Sequence, residues 1–215
     1  MTDGLFRRGL PAARTVAVTL TLLVSVDALA VADSTVGSMS AAVPAALYEP
    51  DHWEARLGAF SHGVGGAEKD TYDLNPELIF PQLPLLEGSG WRYLIPRPHL
   101  GALLNLEGKT SSAYAGALWT VPFSRRTFGE LFFDGAVHNG YTNFGPEDRS
   151  KLGCNYLFHV GGSFGYRFDQ HWSLMLTIDH ESNGHSVFGI ACGGRGSDTH
   201  NQGFNDYGTR IGYSF

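Results

Sequence analysis

His180 and Ser182 stand two residues apart in the run Trp172-Ser-Leu-Met-Leu-Thr-Ile-Asp-His-Glu-Ser-Asn183, and Gly184 follows directly. A serine hydroxyl is a poor nucleophile until a base within hydrogen-bond reach takes its proton and a third group fixes the tautomer of that base. Positions i and i+2 of a strand lie on one face, so His180 is placed to serve Ser182. Asn183 and Gly184 can offer an amide or backbone N–H groups to the oxyanion of an acyl intermediate. Losing one such donor typically costs ~10²–10³ in rate. The chemistry within reach of these residue types is acyl transfer.

The element that must hold them is a strand. Trp172, Leu174, Leu176 and Ile178 alternate with Ser173, Thr177 and Asp179, the period-two pattern of a barrel wall with one apolar and one wet face. His180 and Ser182 share the apolar parity and so face hydrocarbon. Polar groups aimed at hydrocarbon are costly and by default mark function.

Seven further alternating segments accompany this one: Trp53 to His62, Tyr72 to Phe80, Pro98 to Glu107, Ser112 to Val121, Phe128 to His138, Tyr156 to Phe168 and Asn205 to Phe215. The count is even and the chain closes on Ile211, Tyr213 and Phe215 at period two. Together these predict an eight-stranded antiparallel transmembrane β-barrel of the bacterial outer membrane. A soluble barrel with an internal ligand cavity is the alternative, and it would turn the apolar faces inward. If the chain starts at the inner side, Pro122 to Thr127 and Asp169 to His171 are the expected short inner turns. Asn139 to Asn155 and Gly184 to Phe204 are the longer outer loops. Pro81 to Arg97 is too long and proline-rich for the inner turn its position demands.

Arg7, Arg8 and Arg14 precede the apolar stretch Thr15 to Val26, and Ala28-Leu-Ala30 or Ala30-Val-Ala32 supplies a small-residue cleavage site. That order predicts a cleaved secretory signal over residues 1–32 and a barrel over 33–215. No later segment approaches ~20 continuous apolar residues, so no transmembrane helix is expected. A formal net charge of −6 argues against nucleic acid as the main partner. The two cysteines, Cys154 and Cys192, form one disulfide in an oxidising compartment or remain two thiols. Their spacing is not that of a zinc site.

The last strand pairs antiparallel with the one that carries His180, which brings Asn205 and Asp206 beside it. Asn205 shares parity with Tyr207, Ile211 and Tyr213 and faces outward, whereas Asp206 shares the lumen parity of Arg210. Parity selects Asn205 as the third member, although Asp206 is the stronger partner electrostatically. Glu181 belongs with Asp179, Glu130, Asp134, Arg167 and Arg210 in an interior charge network. A metal reading of His180, His185 and His200 is weaker, because two of the three fall in the long outer loop.

The succession His180-Glu-Ser182-Asn183-Gly184, Asn201-Gln-Gly203-Phe-Asn205 and a closing strand ending in Phe215 resembles the outer-membrane lipid A 3-O-deacylase family. The motifs cover about the last forty residues. The resemblance implies an eight-stranded barrel whose lipid-facing His–Ser–acid triad removes the 3-O-linked hydroxyacyl chain from lipid A of lipopolysaccharide in the outer leaflet, without cofactor or metal. It makes Ser182 the nucleophile, His180 the base and Asn183 an oxyanion contributor. The family's acidic third member falls on Asn205 here, which can accept from the imidazole but brings no negative charge. A His-Ser-Asn set is also similar to that of outer-membrane phospholipase A, a larger calcium-dependent dimer, which makes phospholipid hydrolysis the second enzymatic expectation. A non-enzymatic small barrel is the third. Whether the barrel acts singly or as a homodimer is left open.

Overall fold

Strands whose side chains alternate between hydrocarbon-loving and polar can satisfy both faces only by closing around their polar side. The chain does this. In the computed structural model the described residues are 51–85, 92–184 and 202–215. They form eight strands: β1 Glu54–His62, β2 Thr71–Ile79, β3 Arg97–Asn105, β4 Ser112–Pro122, β5 Thr127–His138, β6 Tyr156–Arg167, β7 Trp172–Ser182 and β8 Phe204–Ser214. Each pairs antiparallel with its sequence neighbours, and β1 pairs with β8 to close the barrel. Every alternating segment found in the sequence forms a strand, with ends displaced by two residues at most. The expected signal over residues 1–32 lies outside the described residues.

The faces are those of a membrane barrel rather than of a soluble one. Leu131, Leu176 and Ile178 expose 67, 61 and 58% of their surface, while Arg56, Glu77, His99, Asp134, His159 and Arg210 are buried in the lumen. Buried charge is tolerable only when paired and hydrogen-bonded, and the middle of the lumen is built of such pairs. Arg56 forks onto Glu130 at 2.9 and 2.7 Å and donates to Glu54 at 2.8 Å. His99 bridges Glu77 at 2.9 Å and Asp134 at 2.6 Å, and Asp134 reaches His159 at 2.8 Å. Of the network expected from sequence, Glu181 accepts from the Ser112 hydroxyl at 2.6 Å and Arg210 donates to Asn75 at 2.6 Å. The guanidinium of Arg167 lies 3.8 Å over the Phe128 ring.

At the inner end the Asp169 carboxylate accepts from the backbone N–H groups of Trp172 at 2.7 Å and His171 at 2.8 Å, which hold its carboxyl below the usual range. Aromatic pairs ring this end, among them Trp172 with Tyr213 at 4.8 Å and Trp53 with Phe80 at 4.7 Å, as at a membrane–water boundary. The long Pro81 to Arg97 connection gains a partial account. It contains a 3₁₀ turn at Arg92–Leu94, and the Gln82 amide donates to the carbonyl of Arg92 at 2.9 Å and to that of Ile95. Arg97 ties it to the barrel base through the carbonyls of Phe80 and His52. Residues 86–91 lie outside the described residues.

At the outer end Glu68, in the β1–β2 loop, gathers three loops. It accepts from Thr110 N at 2.7 Å, the Thr110 hydroxyl at 2.9 Å and Ser150 N at 2.9 Å. Burial alone would push its carboxyl up. His62 and the donors on Thr110 and Ser150 more than offset this and hold it at about 2. Its contribution is therefore present above the ordinary carboxylate range and lost as pH falls through about 2. Cys154 in the β5–β6 loop is disulfide-bonded. The chain's other cysteine, Cys192, lies outside the described residues, as do all of 185–201.

Candidate active site on the outer wall

Antiparallel register sets His180 of β7 opposite Asn205 of β8. His180 Nδ1 lies 3.0 Å from Asn205 Oδ1. A carboxamide oxygen only accepts, so the imidazole donates from Nδ1 and turns Nε2 away from Asn205. Ser182 follows two residues on, half-buried on the same outward face. Among the described residues no group holds the Ser182 hydroxyl. Catalytic contacts often close only when substrate is seated.

Gly203 packs this pair together. A Cβ there would fall 2.5 Å from the Glu181 carbonyl oxygen, 2.9 Å from His180 Cε1 and 3.0 Å from Ser182 Cβ. No larger residue fits without moving both side chains. Gly203 stands in the motif, but its packing role depends on register and could not be read before strand pairing was known.

Asn183 points the other way. Its side chain is buried and its Nδ2 donates to the Leu152 carbonyl at 3.0 Å, so the amide braces the β5–β6 loop. Gly184 takes φ of 69°, a left-handed conformation that glycine adopts without strain. Asp206 faces the lumen, where its Oδ1 accepts from Gly63 N at 2.6 Å, and Glu181 also points inward. Asn201, His185 and His200 lie outside the described residues.

Below His180 the outer wall is hollowed. One depression of about 360 Å³ is lined by Leu131, Gly162, Ile178, His180, Asn205 and Tyr207 among others. A second, of about 480 Å³, shares Gly162, Ile178 and Tyr207 and continues to Phe164 and Leu176. From His180 to Leu176 the path is roughly 13 Å at ~3.4 Å per residue. The floor exists because Gly162 shares the outward parity of Val160 and Phe164 yet has no side chain. Gly161-Gly162 inside a strand was the available sequence signal, since strand glycines often mark a close approach. The other feature missed from sequence is a lumen cluster of His62, Asp73 and Asp206 beneath Glu68.

The fold and this site define a class: a small antiparallel barrel, apolar outside and polar within, with a candidate hydrolytic pair on its outer wall. Among solved structures, the crystal structure of the outer membrane enzyme PagL matches with a TM-score of 0.54 at 14% identity, over 74% of this chain and 97% of that one. That likeness establishes the shared barrel fold. No protein-family model and no curated protein sequence matches the chain.

Proposed function

We propose that the protein is an outer-membrane esterase that removes the 3-O-linked hydroxyacyl chain of lipid A, with Ser182 as nucleophile and His180 as base. The observation that carries this reading is the His180–Asn205 contact at 3.0 Å on the outward face, directly above an apolar groove. A base held in one tautomer at a hydrocarbon-facing position has little structural purpose. It suits a substrate whose ester is reached from within the lipid layer. Ser182 and Gly203, two of the residues on which the resemblance to the lipid A 3-O-deacylase family rests, pack beside this contact. An N-terminal signal over residues 1–32 would deliver the barrel to that membrane.

In this mechanism His180 Nε2 takes the Ser182 proton as Oγ attacks the ester carbonyl carbon. Backbone N–H groups of Asn183 and Gly184 receive the oxyanion. Collapse expels the sugar hydroxyl, protonated by His180, and leaves an acyl-serine. Water, deprotonated by the same imidazole, then releases the 3-hydroxy fatty acid and restores Ser182. The acyl chain lies in the groove over Gly162, flanked by Leu131, Ile178 and Tyr207.

Asn205 in place of an acid favours one second reading, hydrolysis of phospholipid, because the phospholipase A that the motif also resembles uses an asparagine there. Mass spectrometry of lipid A and phospholipids from cells expressing the native chain and Ser182→Ala separates the two. The native chain is expected to remove one hydroxyacyl chain from lipid A, and Ser182→Ala none. Accumulating lysophospholipid with intact lipid A would favour the second reading. No change in either lipid would overturn both.

A further inference from the structure

The outer third of the lumen carries a cluster that the outer-wall chemistry does not use. His62 ends β1, Asp73 lies on β2 and Asp206 on β8, so three adjacent strands contribute across the seam where the barrel closes. The three side chains are 2, 1 and 1% exposed, and one ligand atom from each lies within 4.8 Å of the others. His62 Nδ1 is 2.8 Å from Asp73 Oδ2 and 3.6 Å from Asp206 Oδ1. Two donors each ~2.1 Å from a metal ion are ~3.0 Å apart at a right angle and ~3.4 Å apart at the tetrahedral angle. The observed separations bracket those values.

A second observation is independent of the spacing. Asp206 Oδ1 is taken by Gly63 N, and its Oδ2 is sealed from solvent with no hydrogen-bond partner. Asp179, the residue paired with Asp206 across β7–β8, has no hydrogen-bond partner on either carboxylate oxygen and meets the His159 ring only at 3.5 Å. Buried anionic oxygens in that state are costly unless a cation neutralises them. The remaining Asp73 oxygen accepts from Asn105 at 2.8 Å, which orients the carboxylate. The other ring nitrogen of His62 faces the Glu68 carboxylate at 3.4 Å, the outer-sphere arrangement common behind metal-bound histidines.

We propose that His62, Asp73 and Asp206 bind one divalent transition-metal cation, zinc by the chemistry of an imidazole and two carboxylates, and that this ion clasps the β8–β1–β2 seam. The remaining coordination positions take water or the second oxygen of Asp206. The site stands apart from the outer-wall esterase reading and does not depend on it. It does bear on the same strand, because Val64 N, two residues after His62, donates to the Asn205 carbonyl at 2.8 Å.

The test is metal analysis of the full chain folded in detergent, loaded with zinc, passed through a desalting column and compared with His62→Gln and Asp206→Asn. Folding of each is followed by heat-dependent gel mobility. One zinc per native chain is expected, with affinity about 100-fold weaker or worse in either variant. A folded native chain without stoichiometric zinc would overturn the proposal. So would equal zinc retention in both folded variants. Should neither variant fold, cobalt in place of zinc reports on the native protein. A visible spectrum of four- or five-coordinate nitrogen and oxygen ligation is expected, and a spectrum of fully hydrated cobalt would overturn the site.

Discussion

One histidine faces out of this barrel beside a serine, and others face in, and the two kinds are held in opposite ways. His99, His159 and His62 each meet carboxylates on both ring nitrogens, at distances from 2.6 to 3.6 Å. They face acidic partners inside the lumen and stand away from any outward-facing hydroxyl. Among the described residues His180 has one hydrogen-bond partner, the neutral Asn205, and Ser182 follows it on the same outward face. A single residue of register separates His180 from Asp179, which faces His159. Alternation thus places a structural network and the candidate catalytic pair back to back on one strand. The lesson is that an ionisable side chain is read by its partners rather than by its type.

The largest test of that contrast is to disturb the outer pair without touching the lumen. Gly203→Ala must displace His180 and Ser182 by a few tenths of an ångström or more. Displacements of that order can cost ~10²-fold in turnover. Hydroxy fatty acid release per folded barrel measures it, with some loss of thermal stability expected because the new Cβ also meets the Glu181 carbonyl oxygen at 2.5 Å. Near-native turnover would show that the packing of Gly203 does not set the geometry.

The converse is to disturb the lumen. Asp134→Asn removes the charge shared by His99 and His159 and should destabilise the barrel by about 3–5 kcal/mol, the range for breaking a buried pair. Urea unfolding in detergent reads this directly. Turnover of whatever remains folded should stay within a few-fold of native. A large fall in turnover without loss of stability would mean that the inner network reaches the outer face.

The smallest expected effect sharpens the role of Asn205. Asn205→Glu restores a negative charge beside the imidazolium and should leave turnover equal or modestly raised. A clear loss would show that the neutral amide is required here.

How much was legible in the sequence differs between these regions for a physical reason. Period-two alternation is local, so all eight strands and the outward parity of His180, Ser182 and Asn205 could be read from Trp172 to Ser182 and from Asn205 to Phe215 alone. What depends on loops and on cross-barrel distance could not. The Asn183–Leu152 bond, the convergence of three loops on Glu68 and the His62–Asp73–Asp206 cluster join residues 11 to 144 positions apart, with no spacing to announce them. Asn183 is the instructive case. Its place in the motif offered an amide or a backbone N–H to an oxyanion, while its buried side chain has lumen parity and donates to the Leu152 carbonyl, a contact that strand alternation does not announce.

The central claim is that Ser182 is an activated nucleophile on the outer wall. The direct measurement is reaction of the detergent-folded protein with a long-chain alkyl fluorophosphonate, followed by peptide mass spectrometry. The account predicts one covalent adduct on Ser182 that disappears in His180→Ala. Labelling that is absent from Ser182, or that persists there without His180, would contradict it.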